Sequence, residues 1–82
     1  MMKSMYVVSS SNNNWSYTIE KGFNNEVDSV GYAIANIGVN VNLLPSEALA
    51  LLRKHDSVTL EARGMMAAKT KKWRVTRLIC SE

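Results

Sequence analysis

The sequence of 82 residues carries ten basic and seven acidic residues, a net charge of +3, and 46% of its residues are hydrophobic. This composition excludes a disordered chain, and the length leaves room for one domain, residues 1–82. The single cysteine excludes an internal disulfide, and the apolar runs are too short for a membrane span or a secretory signal. We therefore expect a cytoplasmic protein that does not bind membranes.

The charge is unevenly distributed along the chain. Residues 1–47 hold two basic and four acidic residues, a net charge of −2, whereas residues 48–82 hold eight basic and three acidic residues, a net charge of +5. A positive field on one part of a fold steers association with anionic surfaces. The second half therefore points to an anionic partner, with solubility alone as the simpler explanation.

Two runs near the N-terminus have the pattern of strands. Residues 3–9 are rich in β-branched and aromatic residues, and residues 9–14 are a polar turn. In residues 15–20, Trp15, Tyr17 and Ile19 alternate with polar residues, which predicts a half-buried strand. The two runs predict a hairpin, and the face with Trp15, Tyr17 and Ile19 is the natural seat for a helix.

Residues 26–43 contain two competing periodicities. Apolar residues recur at helical spacing, with Asp28 or Ser29 as a cap and Gly38 as a stop. An alternation of Val30, Tyr32 and Ile34 instead predicts a strand, and β-branched residues and glycine are poor helix formers. We predict a strand over residues 27–37, with a helix as the alternative, and a second alternating strand over residues 39–43.

The clearest predicted element is a helix over residues 45–55. Pro45 suits the first helical turn, Glu47 lies near the positive end of the helix dipole, and Arg53 lies near the negative end. A helix of three turns is marginal by itself in water, so its apolar stripe with Ala48 and Leu52 must pack on a sheet.

The last third of the chain predicts two further strands. Residues 57–63 alternate, with Val58, Leu60 and Ala62 inward, and residues 71–80 form the final strand after a connector over residues 64–70. The chain is therefore predicted to be an α+β domain with the order β-β-β-α-β-β. Its antiparallel sheet of four to five strands carries one main helix on one face. A barrel of the OB type has a similar element order and is the alternative.

The predicted final hairpin is the best candidate for a binding site, because it concentrates basic residues around a tryptophan. The predicted nucleic-acid-binding residues are Arg63, Lys69, Lys71, Lys72, Arg74, Arg77 and Trp73. Basic residues neutralise phosphates, and Trp73 or Trp15 would stack on a base. Strand alternation, however, places Trp73, Val75 and Ile79 in the core and leaves Lys72 and Arg74 on a solvated face.

Other candidate residues point to binding rather than catalysis. Met65 and Met66 are candidates for protein interaction, because exposed methionines adapt to partner surfaces, although methionines also cap cores. His55 and Cys80 lack the partners that a metal site or a catalytic pair requires. We therefore predict no catalytic residues, no metal site and no cofactor.

Two functions follow from these patterns. The first is a small non-enzymatic accessory protein that binds nucleic acid through the basic C-terminal hairpin. The alternative is a protein-binding regulator or inhibitor, of the kind that mobile elements and phages encode. It would act on an acidic or other protein partner through a sheet edge or through Met65 and Met66. A homo-oligomer is compatible with either function, because small cores with open sheet edges gain from pairing.

Overall fold

The chain forms strands and helices in the order β-β-α-α-β-β. The computed structural model describes residues 2–12, 16–38, 40–64 and 70–81. Its elements are β1 (Met2–Ser11), β2 (Thr18–Phe23), α1 (Glu26–Ile37), α2 (Pro45–His55), β3 (Ser57–Leu60) and β4 (Lys72–Ser81). The predicted α+β class is confirmed, with four strands and two helices in the described ranges.

The sheet is open and antiparallel, with the strand order β2-β1-β4-β3. The first and last strands of the chain are its centre, and they pair in register from Met2 with Ser81 to Ser11 with Lys72. The edge strands β2 and β3 are not joined to each other in this order. The sheet therefore does not close, and the OB-type alternative is wrong.

Both helices pack on the same face of the sheet, which we call the helix face. Val8, Val75 and Val58 lie side by side across β1, β4 and β3 on this face, and all three are buried. They are covered by Val30 from α1 and Leu52 from α2. No described element packs on the other side of the sheet, which we call the outer face.

Residues 26–37 form a helix, so the predicted strand over residues 27–37 is wrong. The Asn25 side chain caps α1, because its Oδ1 accepts a hydrogen bond of 2.7 Å from the backbone N–H of Asp28. Gly38 ends the helix at a φ of 91°, and its N–H donates to the Ile34 carbonyl at 3.0 Å. Burial of Val30 and its neighbours at helical spacing outweighs the weak intrinsic propensity.

Removal of this cap should destabilise the protein. We expect Asn25→Ala to lower the free energy of unfolding by about 1 kcal/mol, because the Asp28 N–H loses its acceptor at the start of α1. Asn24→Ala is the matched control, because Asn24 is an exposed asparagine just before the cap. Urea denaturation of both variants measures the difference, and equal midpoints would contradict the capping role of Asn25.

The predicted helix over residues 45–55 is confirmed in its bounds. Glu47 stabilises the start of α2, because its Oε1 accepts a hydrogen bond of 2.9 Å from the backbone N–H of the N-cap residue Leu44. The helix packs mainly on β3, and Ala48 and Leu52 are buried. The helix was predicted to pack on the face with Trp15, Tyr17 and Ile19. This prediction is wrong, because Ile19 is 72% exposed; Trp15 lies outside the described residues.

The predicted strand over residues 39–43 is wrong as a strand, and residue 39 lies outside the described ranges. An isolated bridge joins Val41 to Ala62, and the Asn42 N–H donates to the Glu61 carbonyl at 2.8 Å. Strand β3 is shorter than predicted. The inward positions Val58, Leu60 and Ala62 are nevertheless buried as expected.

The two central strands extend beyond both edge strands as a two-stranded ribbon, residues 2–5 paired with residues 78–81. Pairing of β2 with β1 reaches Tyr6, and pairing of β3 with β4 reaches Thr76, so no described strand flanks this ribbon. Leu78 and Ile79, which point to opposite faces, are 47% and 54% exposed. The prediction that Ile79 lies in the core is therefore wrong.

Candidate nucleic-acid interface

Strand β4 divides the basic segment between the two faces of the sheet. Trp73 and Val75 belong to the helix face, and Arg77 follows them in the same alternation. Lys72 and Arg74 alternate with these residues and lie on the outer face. The predicted basic site residues therefore do not form one continuous patch.

Trp73 belongs to the core. It is 7% exposed, and its ring meets the ring of Tyr32 edge to face at a centroid distance of 6.1 Å. Phe23 and Tyr32 also contact each other, with the ammonium group of Lys21 5.3 Å from the Phe23 centroid. The inward alternation is confirmed, and no broad face of Trp73 is available for a base.

Arg74 is at the centre of the outer face. Its neighbours in register are Ser9 on β1 and Thr59 on β3, so it lies well inside the sheet. The guanidinium carbon is 4.0 Å from the ring centroid of Tyr17, which is a close cation–π contact. No carboxylate of the described residues is within ion-pair distance of Arg74. The stack with Tyr17 fixes a planar cation on an uncovered surface.

Apolar side chains are also exposed on the outer face. Ile19 is opposite Ser9 on the β2 side and is 72% exposed, and Leu78 on β4 is 47% exposed. The short Ser9 side chain between Ile19 and Arg74 is buried. The outer face is therefore mixed in character, with one arginine–tyrosine stack among apolar and hydroxyl groups.

Two of the predicted basic residues form ion pairs. Lys72 Nζ is 3.7 Å from a carboxylate oxygen of Glu61, and Arg77 Nε is 3.0 Å from Oδ1 of Asp56. Both pairs are partly exposed, so each contributes little to stability and can exchange with another anion. The Arg77 pair is near the middle of β4, about 17 Å from Lys72 at the usual strand rise.

On the helix side, Arg53 of α2 forms an ion pair with Glu26 of α1. Arg53 Nε donates to Glu26 Oε1 at 2.8 Å, and Nη2 also contacts this oxygen. This hydrogen bond and the attraction of the carboxylate raise the pKa of Arg53 above its usual range. The pair joins α1 to α2 and neutralises the charge of Arg53.

A polar cleft is located at the end of the sheet where β1 leads towards β2 and where β4 begins. It has a volume of about 220 Å³ and is lined by Ser10, Ser11, Asn12, Ser16, Thr18, Glu20 and Lys71. Ser10 and Ser11 are each 4% exposed. The Ser10 hydroxyl donates to Glu20 Oε1 at 3.1 Å, which holds the carboxylate in place. The cleft offers hydroxyls, a carboxylate and an ammonium group.

The remaining predicted site residues are dispersed or not described. Arg63 is exposed, and its Nη2 donates to the Asn42 carbonyl at 3.3 Å. Lys69, Met65 and Met66 lie outside the described residues. Among the predicted basic residues that the structure describes, Lys71, Lys72 and Arg74 are near one another, at and just before the start of β4.

Tyr17 was missed as a site residue, although its sequence pattern contained a signal. It belongs to the alternating run of residues 15–20, and this pattern predicts a face on which a helix packs. Its position beside Arg74 depends on how β2 pairs with β1, and an aromatic residue at an alternating position fits either face. The cleft residues Ser10 and Glu20 were also missed, because each had only the signature of a turn or an exposed strand.

The fold and the site define a small α+β protein whose open sheet face carries a basic–aromatic stack. No protein-family model matches the chain, and neither a curated protein nor a solved structure gives a match. In the described ranges, no helix has the length and apolar character to cross a membrane. The described side chains also contain no group of three or more potential metal ligands of the His, Cys, Asp and Glu types.

Proposed function

We propose that this chain is a non-enzymatic accessory protein that binds single-stranded nucleic acid on the outer face of its sheet. The observation that carries the proposal is the guanidinium of Arg74 held 4.0 Å from the Tyr17 ring on a surface without a covering element among the described residues. Trp73 has no part in this site, because it is buried.

The preference for single strands follows from the chemistry of the stack. Base faces are available for stacking only where bases are unpaired, and aromatic rings and guanidinium planes are the usual platforms for them. Arg74 contacts the Tyr17 ring on one side. We expect a base to stack on its other side. A duplex keeps its base faces stacked inside the helix and would leave the Arg74 site without a base to stack on.

Phosphate contacts would come from the basic residues at the start of β4. Lys71 is exposed, and Lys72 can exchange its partly exposed contact with Glu61 for a phosphate. With Arg74 they supply three positive charges next to the stack. This number supports a modest affinity, in keeping with an accessory protein.

Salt dependence tests the electrostatic part of the proposal. For three neutralised phosphates we expect the logarithm of the association constant to fall with the logarithm of salt concentration with a slope of about −2. Fluorescence anisotropy with a labelled short oligouridine measures the slope. Lys72→Ala should make the slope shallower by about 0.7. Binding that is independent of salt would contradict the proposal.

A second candidate function is protein binding, favoured by the ribbon of residues 2–5 and 78–81. Its strands lack described neighbours, and Leu78 and Ile79 expose apolar surface on opposite faces. Such edges accept another strand, from a partner or from a second copy of the chain. Sedimentation distinguishes a monomer of 9.2 kDa from a dimer. If the ribbon binds a second copy, Leu78→Lys should dissociate the dimer.

A further inference from the structure

We infer that the polar cleft at the end of the sheet receives a base with adjacent N–H donors, guanine above all, from a strand bound on the outer face. This inference rests on the proposed function and adds base preference to it. The cleft is built by β1, β2 and the start of β4, with Glu20 as its acceptor and Lys71 as its cation.

A β-bulge directs Glu20 into this cleft. In the pairing of β1 with β2, Val8 is opposite Lys21 and Ser9 is opposite Ile19, so Glu20 is the extra residue. Bulges redirect side chains and recur beside functional sites. The Glu20 carboxylate thereby reaches the Ser10 hydroxyl, a nearly buried group that donates to Oε1 at 3.1 Å.

The donor set fits guanine better than the other bases. A carboxylate only accepts hydrogen bonds, and guanine has two neighbouring donor groups on its Watson–Crick edge, at N1 and N2. Lys71 has three donors on its ammonium group, so one can bind the guanine O6 while another contacts a phosphate outside the cleft. Uracil has a single N–H between two carbonyls, and a phosphate would be repelled by Glu20. The combination of Glu20 and Lys71 therefore selects a base and not the backbone.

The cleft lies at the same end of the sheet as the proposed stacking site. Tyr17 lies between Ser16 and Thr18, which both line the cleft, and Lys71 directly precedes Lys72. A nucleic-acid strand with one base stacked on Arg74 would therefore pass around the end of the sheet, and a neighbouring nucleotide would reach Glu20. One bound strand then contacts both sites.

Binding of labelled oligouridine strands with one central guanine, adenine or cytosine tests this inference. We expect wild-type protein to bind the guanine strand about tenfold more tightly than the others, which corresponds to one good two-donor contact. Glu20→Gln should reduce this preference to about twofold or less, because the amide replaces one acceptor oxygen by a donor. The readout is the ratio of the affinities within each variant.

Asp28→Asn is the matched control, because it removes the same charge at the start of α1. It should raise all affinities slightly and keep the guanine preference. Equal wild-type affinities for all strands, or an unchanged preference in Glu20→Gln, would overturn the inference and leave the proposed function standing. Failure of wild-type protein to bind any of the strands would overturn both.

Discussion

Replacing Leu52 by alanine is expected to lower the free energy of unfolding by about 3 kcal/mol. Leu52 is fully buried where α2 meets the sheet, so its truncation removes apolar contacts and leaves a cavity. A chain of this size buries little surface, and its total stability is about 5–10 kcal/mol. The loss should therefore appear as a large decrease in the urea midpoint.

Leu51→Ala is the control, because it removes the same atoms one position earlier on α2. Leu51 is 36% exposed and outside the core, so we expect a loss of about 1 kcal/mol or less. Similar losses in the two variants would contradict the packing of α2 described above. Circular dichroism of both variants in the absence of urea checks that the fold is retained.

The second large effect is expected at Arg74. Arg74→Ala should weaken binding to a short oligouridine by about thirtyfold, because it removes both a positive charge and the guanidinium stack, together about 2 kcal/mol. Arg74→Lys keeps the charge but loses the planar group, so it should recover the salt dependence and only a small part of the affinity. Anisotropy titrations at two salt concentrations measure both quantities.

Arg53→Ala is the matched control for charge. It removes one positive charge from the helix side, where Arg53 is paired with Glu26. We expect an affinity within about twofold of the wild type, since this site is distant from the outer face and its ion pair is exposed. Equal weakening by Arg53→Ala and Arg74→Ala would indicate that net charge, and not the stack, governs binding.

The α+β class and the helix over residues 45–55 could be predicted because local signals agree there. Pro45, Glu47 and Arg53 suit their positions along the helix, and the buried Ala48 and Leu52 share one stripe. In α1 the signals conflict, because its β-branched residues and Gly31 favour other structures. Burial against the sheet decides its conformation, and such a long-range contact is not visible in a local pattern.

The error about Tyr17 and Ile19 has a physical cause in the bulge at Glu20. Tyr17 and Ile19 do alternate with polar residues, but the extra residue reverses the phase of the strand after Ile19. As a result, Ile19 lies on the outer face, whereas Lys21 and Phe23 lie on the helix face. A bulge of this kind depends on the partner strand, so the sequence of β2 alone did not reveal the stacking site.

The basic residues of the proposed site could likewise be predicted only in part. The basic residues of β4 were visible as a composition, and their alternation correctly predicted that Trp73 points inward. The sequence did not show that Lys72 and Arg77 have acidic neighbours, because Glu61 comes from the end of β3 and Asp56 from the end of α2, both distant from β4 in the sequence. Arg74 differs from Lys72 and Arg77 in its contact with Tyr17, and this difference is apparent only once the ion pairs of the other two residues are known.

The most direct test of the outer-face proposal is an NMR titration of the isotope-labelled protein with a short oligouridine, followed in the amide N–H correlation spectrum. The account predicts that shifts concentrate at Tyr17, Arg74 and their neighbours in register, Ser9 and Thr59, while amides on the exposed side of α1 and α2 stay unchanged. Shifts confined to the helices, or an unchanged spectrum at saturating oligonucleotide, would contradict it.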